Sequence, residues 1–265
     1  MSEVSPNNKV LLVEDNPINI KLAVSMLERL GLSVTVATNG QEAIDYVKTG
    51  EHIDLILMDI QMPVMDGLEA THYLYKHIEN CPTIVAMTAN VDTQHYNSCI
   101  EAGMAGFIEK PIRLAKLKEV LPTHLPTLHI FGDQTIWKDG LQSDGAFLRI
   151  NVELINKDFS ECWDIFYKFY RDFILYYQNE LPKLENAIKA NDSAQTLRAL
   201  KDFSDLAVYF QPKFMTPISE EIKKNASSNN FGICLKEFRK LRKEAQEVIR
   251  EVSLLLANQP QKISQ

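Results

Sequence analysis

Short apolar runs alternate with amphipathic stretches over the first half of the chain. Lys9-Val10-Leu11-Leu12-Val13, Val34-Thr35-Val36-Ala37, Leu55-Ile56-Leu57-Met58-Asp59, Thr83-Ile84-Val85-Ala86-Met87-Thr88 and Gly106-Phe107-Ile108-Glu109 each read as a strand bounded by turn or polar residues. Between them the apolar spacing becomes helical. Ala23, Met26, Leu27 and Leu30 fall at i, i+3, i+4 and i+7 behind an Asn16-Pro17 start, and Gly31 stops that helix. Further helices are predicted over 41–48, 68–78, 92–102 and 114–121. Five strand–helix units in about 120 residues predict a five-stranded parallel sheet with helices on both faces, an α/β fold.

The second half has a different rhythm. Phe159, Trp163, Phe166, Tyr170, Phe173, Tyr177, Leu184 and Ile188 recur at spacings of three, four and seven, an aromatic helical stripe that reads as core. Pro182 is expected to kink or split it. Asn191-Asp192-Ser193 is a break and cap. A helix to about Phe210 follows, with Leu200, Phe203, Ala207 and Phe210 inward. Gln211-Pro212 interrupts, and Thr216-Pro217 starts a helix with Ile218 and Ile222 on its face. Ser227 to Asn230 is a turn, and a long helix from Phe231 to about Leu255 closes the pattern. Short connections between amphipathic helices predict an antiparallel four-helix bundle. Leu121-Pro122-Thr123-His124-Leu125-Pro126 reads as the boundary, which divides the chain into 1–121, an ill-defined connection over 122–150, and 151–258. The Asp139-Gly140 and Asp144-Gly145 pairs are turn signals within the connection.

Length and charge narrow the function. At 265 residues, two domains are expected. The net charge of −7 lies wholly in the first half, with 9 basic and 16 acidic residues through Leu121 against 19 of each beyond. A nucleic-acid binder would carry a basic face, so nucleic acid is not an expected partner. No apolar run has the length of a membrane span, and Met1 to Lys9 lacks the apolar core of a signal peptide. Cys81, Cys99, Cys162 and Cys234 are widely spaced without a CxxC pair and read as reduced thiols. The expected location is the cytoplasm.

The right-handed crossover rule brings all five strand ends to one edge. Glu14, Asp15, Asp59, Thr88 and Lys110 then share one crevice. Clustered carboxylates call for a cation, and Mg²⁺ suits one or two of them with waters and phosphate oxygens. An Asp carboxylate can attack a phosphoryl group, whose equatorial oxygens then need compensating charge and hydrogen-bond donors. Lys110 and Thr88 are chemically suited to that.

Val13-Glu14-Asp15-Asn16-Pro17, Leu57-Met58-Asp59-Ile60-Gln61-Met62-Pro63-Val64-Met65-Asp66-Gly67, Met87-Thr88-Ala89 and Glu109-Lys110-Pro111-Ile112 resemble the receiver domains of two-component response regulators, closest to those of hybrid histidine kinases. The resemblance spans about Lys9 to Leu121 and implies the flavodoxin-like (βα)5 fold. It implies Asp59 as phosphoacceptor, Asp15 as a direct Mg²⁺ ligand, and Glu14 acting through water where many members have Asp. Asp59 and the Gln61 backbone carbonyl would complete the metal set. Thr88 and Phe107 would form the switch, with Lys110 binding phosphate through a cis Lys110–Pro111 bond. The side chains of Gln61 and Asn90 would tune dephosphorylation. The implied partners are a histidine kinase or phosphotransfer protein as donor and a downstream protein; a homodimer through the receiver face is left open. Enzymatic activity beyond self-phosphorylation and slow autodephosphorylation is not implied.

The helical half resembles a histidine phosphotransfer domain over about Asn151 to Ala257, through Glu180-Leu181-Pro182-Lys183-Leu184, Asn191-Asp192-Ser193 and Thr196-Leu197-Arg198-Ala199-Leu200-Lys201-Asp202. Arg198 stands where that family carries its histidine, and Asp202 stands in place of a glycine. All six histidines lie at or before His129, so residues 130–265 cannot form a phosphohistidine. Arg198 reads as a solvated partner of Asp202 one turn on, or as a charge presented to a docked receiver. The helices are expected to act as a non-catalytic protein-interaction module. The alternative is a constitutive partner that titrates a kinase or regulator, with phosphorylation incidental.

Overall fold

The computed structural model describes residues 8–89, 93–126, 128, 149–207, 209 and 214–257. The chain divides into two compact units, 1–133 and 134–265.

In the first unit the strands are β1 (Lys9–Val13), β2 (Ser33–Ala37), β3 (Leu55–Asp59), β4 (Thr83–Thr88) and β5 (Gly106–Glu109). The helices are α1 (Pro17–Arg29), α2 (Gly40–Lys48), α3 (Gly67–His77), α4 (Thr93–Ala102) and α5 (Leu114–His124). The sheet order is β2-β1-β3-β4-β5, all parallel, with Leu12 opposite Leu57 and Leu57 opposite Val85. β3 lies at the centre and is buried along its whole length, which explains its unbroken apolar run rather than an alternating one. Leu11, Val13, Ile56, Met58, Ile84 and Ala86 pack with Ala43, Ile44, Ala70 and Leu74 of α2 and α3. Side chains alternate across a strand, so Val10, Leu12, Leu55, Leu57, Val85 and Met87 fill the opposite face.

The predicted strands match closely, β2 starting one residue earlier. Asn16 caps α1 as expected, its side chain accepting from the Ile18 and Asn19 amides. One boundary needs correction. Pro122 does not end α5, which continues one turn to His124, and the Leu125 amide bonds the Leu121 carbonyl. Buried Leu121 and Leu125 hold that turn down. The Asp-Gly pairs of the connection and the Phe210 to Pro212 break lie outside the described residues.

The second unit holds α6 (Val152–Phe159), α7 (Trp163–Lys189), α8 (Ser193–Ala207), α9 (Met215–Ser227) and α10 (Phe231–Ala257). α7 packs on α8, α8 on α9, α9 on α10, and α10 returns to α7, while α6 packs on α7. The register is antiparallel. Phe169 meets Tyr209 and Tyr177 meets Phe203. Tyr170 donates to the Ile249 carbonyl, while Glu185 pairs with Arg242. Every residue of the aromatic stripe is buried, so the stripe is core. Ile222 is buried as expected, and Ile218 partly.

Two expectations for this unit are corrected. Phe159 ends a separate short helix and stacks back on Phe166 and Phe169. Pro182 does not split α7. It is exposed, so its missing N–H and the orphaned carbonyl one turn back face solvent. Burial of Tyr177, Leu184 and Ile188 on either side outweighs the local cost. Pro182→Ala is therefore expected to stabilise this unit by about 1–3 kcal/mol, part of the ~3 kcal/mol propensity difference. Trp163 is buried here, and its fluorescence in a urea titration reads the shift.

Candidate functional site

β1, β3, β4 and β5 end side by side, and the predicted polar residues meet there. Asp59 closes β3, Thr88 closes β4, Glu14 and Asp15 follow β1, and Lys110 follows β5. Glu14, Asp59 and Thr88 are buried.

Lys110 is the hinge of the arrangement. Its Nζ lies 2.6 Å from Glu14 Oε2 and 2.7 Å from Asp59 Oδ2. Its backbone N–H donates to the Thr88 carbonyl at 2.8 Å, fixing the start of the loop after β5. The Lys110–Pro111 bond is cis, as expected. Burial alone would lower the Lys110 pKa, but the Glu14 and Asp59 charges and their hydrogen bonds reverse this and hold it above its ordinary value. Burial pushes the Glu14 carboxyl up; the Lys110 charge opposes that, and the Asp59 charge adds to it. Glu14 and Asp59 thus share one ammonium between them.

The other oxygens have neutral donors. Asp59 Oδ1 accepts from the Gln61 amide at 3.1 Å. Glu14 Oε1 accepts from the Asn16 amide at 3.3 Å and from Asn19 Nδ2 at 3.1 Å. One ligand atom from each of Glu14, Asp15 and Asp59 lies within 4.8 Å of the others. Three carboxylates against one ammonium leave negative charge in excess, and an oxygen-rich set of this kind suits a hard divalent cation such as Mg²⁺. The donor set therefore fits the metal that the sequence implies.

Phe107 is half-buried against the core cluster. Asn90 lies outside the described residues. Arg198 is exposed on α8, far along the chain in the second unit, and the Asp202 side chain it was expected to pair with lies outside the described residues. Two features were not singled out in the sequence. Asn19 sits on the buried face of α1 and bonds Glu14; a polar residue three positions after the cap, among apolar ones, was the available signal. Gly67 opens α3 directly against the Asp59 carbonyl, and its place next to Asp66, which caps α3, was the only hint.

The family model of the response regulator receiver domain matches residues 10–122. Residues 10–122 form a response regulator receiver domain. The domain is related to the receivers of hybrid histidine kinases. It is 42% identical over 118 residues to the osmosensing histidine protein kinase SLN1 of Saccharomyces cerevisiae, covering 43% of this chain and 10% of that one. Probable histidine kinase 1 of Oryza sativa subsp. indica is 35% identical over 160 residues, covering 47% of this chain and 16% of that protein. The chain thus spans 16% or less of the length of these two curated relatives. Among solved structures, the receiver domain of the Pseudomonas aeruginosa sensor histidine kinase PA1611, with magnesium in its active-site cleft, is 33% identical over 45% of this chain and 98% of that one, at a TM-score of 0.42. The Ssk1 receiver, crystallised with the Saccharomyces cerevisiae phosphotransfer protein Ypd1, belongs to a structure 31% identical over 48% of this chain and 96% of that chain, at a TM-score of 0.43. A receiver domain is not an enzyme in the ordinary sense; it is a signalling module of two-component phosphorelays. No described helix is long and apolar enough to cross a membrane. The helices from Val152 to Ala257 lie beyond the receiver match.

Proposed function

We propose that Asp59 accepts a phosphoryl group from the phosphohistidine of a histidine kinase or phosphotransfer protein. The observation that carries this is the placement of Lys110, within 2.7 Å of Asp59 Oδ2 in a crevice that gathers three carboxylates. An Asp59 oxygen lone pair forms the new O–P bond as the donor's P–N bond breaks. That electron pair returns to the imidazole nitrogen, which is left to take a proton. The Lys110 ammonium, already charged and held in place, compensates one phosphoryl oxygen, and the Thr88 hydroxyl bonds another. Glu14, Asp15, Asp59 and the Gln61 carbonyl would hold Mg²⁺, which supplies charge neutralisation and orientation. Thr88 and Phe107 read the modified state and reshape the face of α4, β5 and α5. The Gln61 side chain, with Asn90, sets the rate of hydrolysis.

The second unit serves as a non-catalytic interaction module. The lack of any histidine beyond His129 supports this, and exposed Arg198 offers a cation to an acidic partner. Incubation with acetyl phosphate and Mg²⁺ tests the site. The wild-type protein is expected to gain one phosphoryl group, and Asp59→Ala none. Undiminished labelling of Asp59→Ala would reject the assignment.

A further inference from the structure

We infer that Asn19 is a positioning residue that fixes which oxygen Glu14 presents to the cation and phosphoryl crevice; this rests on the phosphoacceptor reading above. Glu14 has one more rotatable bond than an Asp would, so its carboxylate needs more to hold it still. Its two oxygens are divided. Oε1 is taken by α1, through the Asn16 amide at 3.3 Å and Asn19 Nδ2 at 3.1 Å. Oε2 is thereby left toward Lys110 at 2.6 Å and the shared carboxylate cluster. The orientation of the Asn19 amide follows from charge, because turning it over would set its carbonyl oxygen against the Glu14 carboxylate.

The second observation is what Asn19 forgoes. It is 5% exposed, and its Oδ1 is buried with no hydrogen-bond partner among the described residues. Its neighbours on that face, Ile18, Leu22, Ala23 and Met26, are apolar. A leucine would suit a helix and an apolar surround better than an amide satisfied on one side only. An Asn kept there at a cost in stability points to the one bond it does make, which is to Glu14. Groups that orient a metal's ligands without touching it commonly change metal affinity 10- to 100-fold when removed.

The test is a double-mutant cycle in the full chain, read by calorimetric Mg²⁺ titration and by thermal melting without Mg²⁺. Asn19→Leu is expected to weaken Mg²⁺ binding about tenfold while the melting temperature holds or rises. In a Glu14→Ala background it is expected to change Mg²⁺ affinity less than twofold. Asn19→Ala, which any helix accepts, repeats the comparison should the leucine pack badly. Unchanged Mg²⁺ affinity in both single variants would overturn the inference, as would an equal loss with and without Glu14. A wild-type protein labelled on Asp59, with Asn19 variants indistinguishable from it, sinks this inference alone. Absence of label on the wild type sinks the phosphoacceptor reading beneath it.

Discussion

Gly67→Ala is expected to destabilise the receiver domain by about 3 kcal/mol and to abolish phosphoryl labelling even in the fraction that remains folded. A Cβ at position 67 would stand 2.1 Å from the Asp59 carbonyl oxygen, 2.9 Å from Met58 Cγ and 3.0 Å from the Asp59 carbonyl carbon. No side-chain rotation relieves a clash with backbone. Either α3 withdraws or the end of β3 moves. α3 is tied by the Gly67 amide to the Ile60 carbonyl at 2.9 Å and by buried Ala70 and Leu74. β3 is tied on both edges by β1 and β4. Whichever yields, Asp59 leaves the position at which Lys110 and the Gln61 amide meet it. The described tryptophan, Trp163, lies in the second unit, so its fluorescence follows that unit. Amide exchange of β3 is the measurement for the first. Wild-type protection of β3 in Gly67→Ala would show that the helix start has room to retreat.

Lys110→Ala carries the second large effect. It removes the only ammonium that touches Glu14 and Asp59 among the described residues. Breaking a buried ion pair by deleting one partner costs about 3–5 kcal/mol, and the lower end is expected here because the Lys110 side chain keeps 15% of its surface exposed. The pH dependence follows from the sign of the Glu14 shift. Its carboxyl already lies above the ordinary range through burial, and losing Lys110 raises it further. A carboxyl raised on folding contributes stability below its unfolded pKa and loses it as pH rises through the folded one. The deficit of Lys110→Ala should therefore be small near pH 4 and full at neutral pH. Millimolar Mg²⁺ should recover part of it. A β3 exchange profile equal to wild type at neutral pH without Mg²⁺ would show that the carboxylates do not depend on Lys110.

Much of the first unit was legible because local and long-range signals agree there. Each strand is an apolar run with a turn residue at its end, and a parallel sheet places all those ends on one edge. Glu14, Asp59 and Lys110 could be brought together on that basis alone. Asn19 could not, because a polar residue on an apolar helix face looks the same in sequence whether it serves a site or merely tolerates burial. The split that Pro182 suggested does not occur, for a related reason. The proline's penalty is local and readable, while the burial of Tyr177, Leu184 and Ile188 that outweighs it depends on helices far along the chain. Phe159 fitted the helical stripe by spacing, and nothing in its own neighbourhood showed that the stripe changes helix between it and Trp163.

The helices of the second unit differ in length. α7 and α10 have 27 residues each, whereas α8 and α9 have 15 and 13. At 1.5 Å per residue the long pair runs about 40 Å and the short pair about 20 Å each, so one end of the long pair needs another cover. α6 supplies it by laying Phe159 on Phe166, and just before it Arg149 grips α10. The Arg149 amide donates to Glu251 at 3.0 Å and its guanidinium to Glu244 at 3.0 Å. Arg149 is thus fastened across two turns of α10. Loss of the Arg149 pairs with Glu244 and Glu251 would loosen α6 over Phe166 before it disturbed the turns at the opposite end of the bundle.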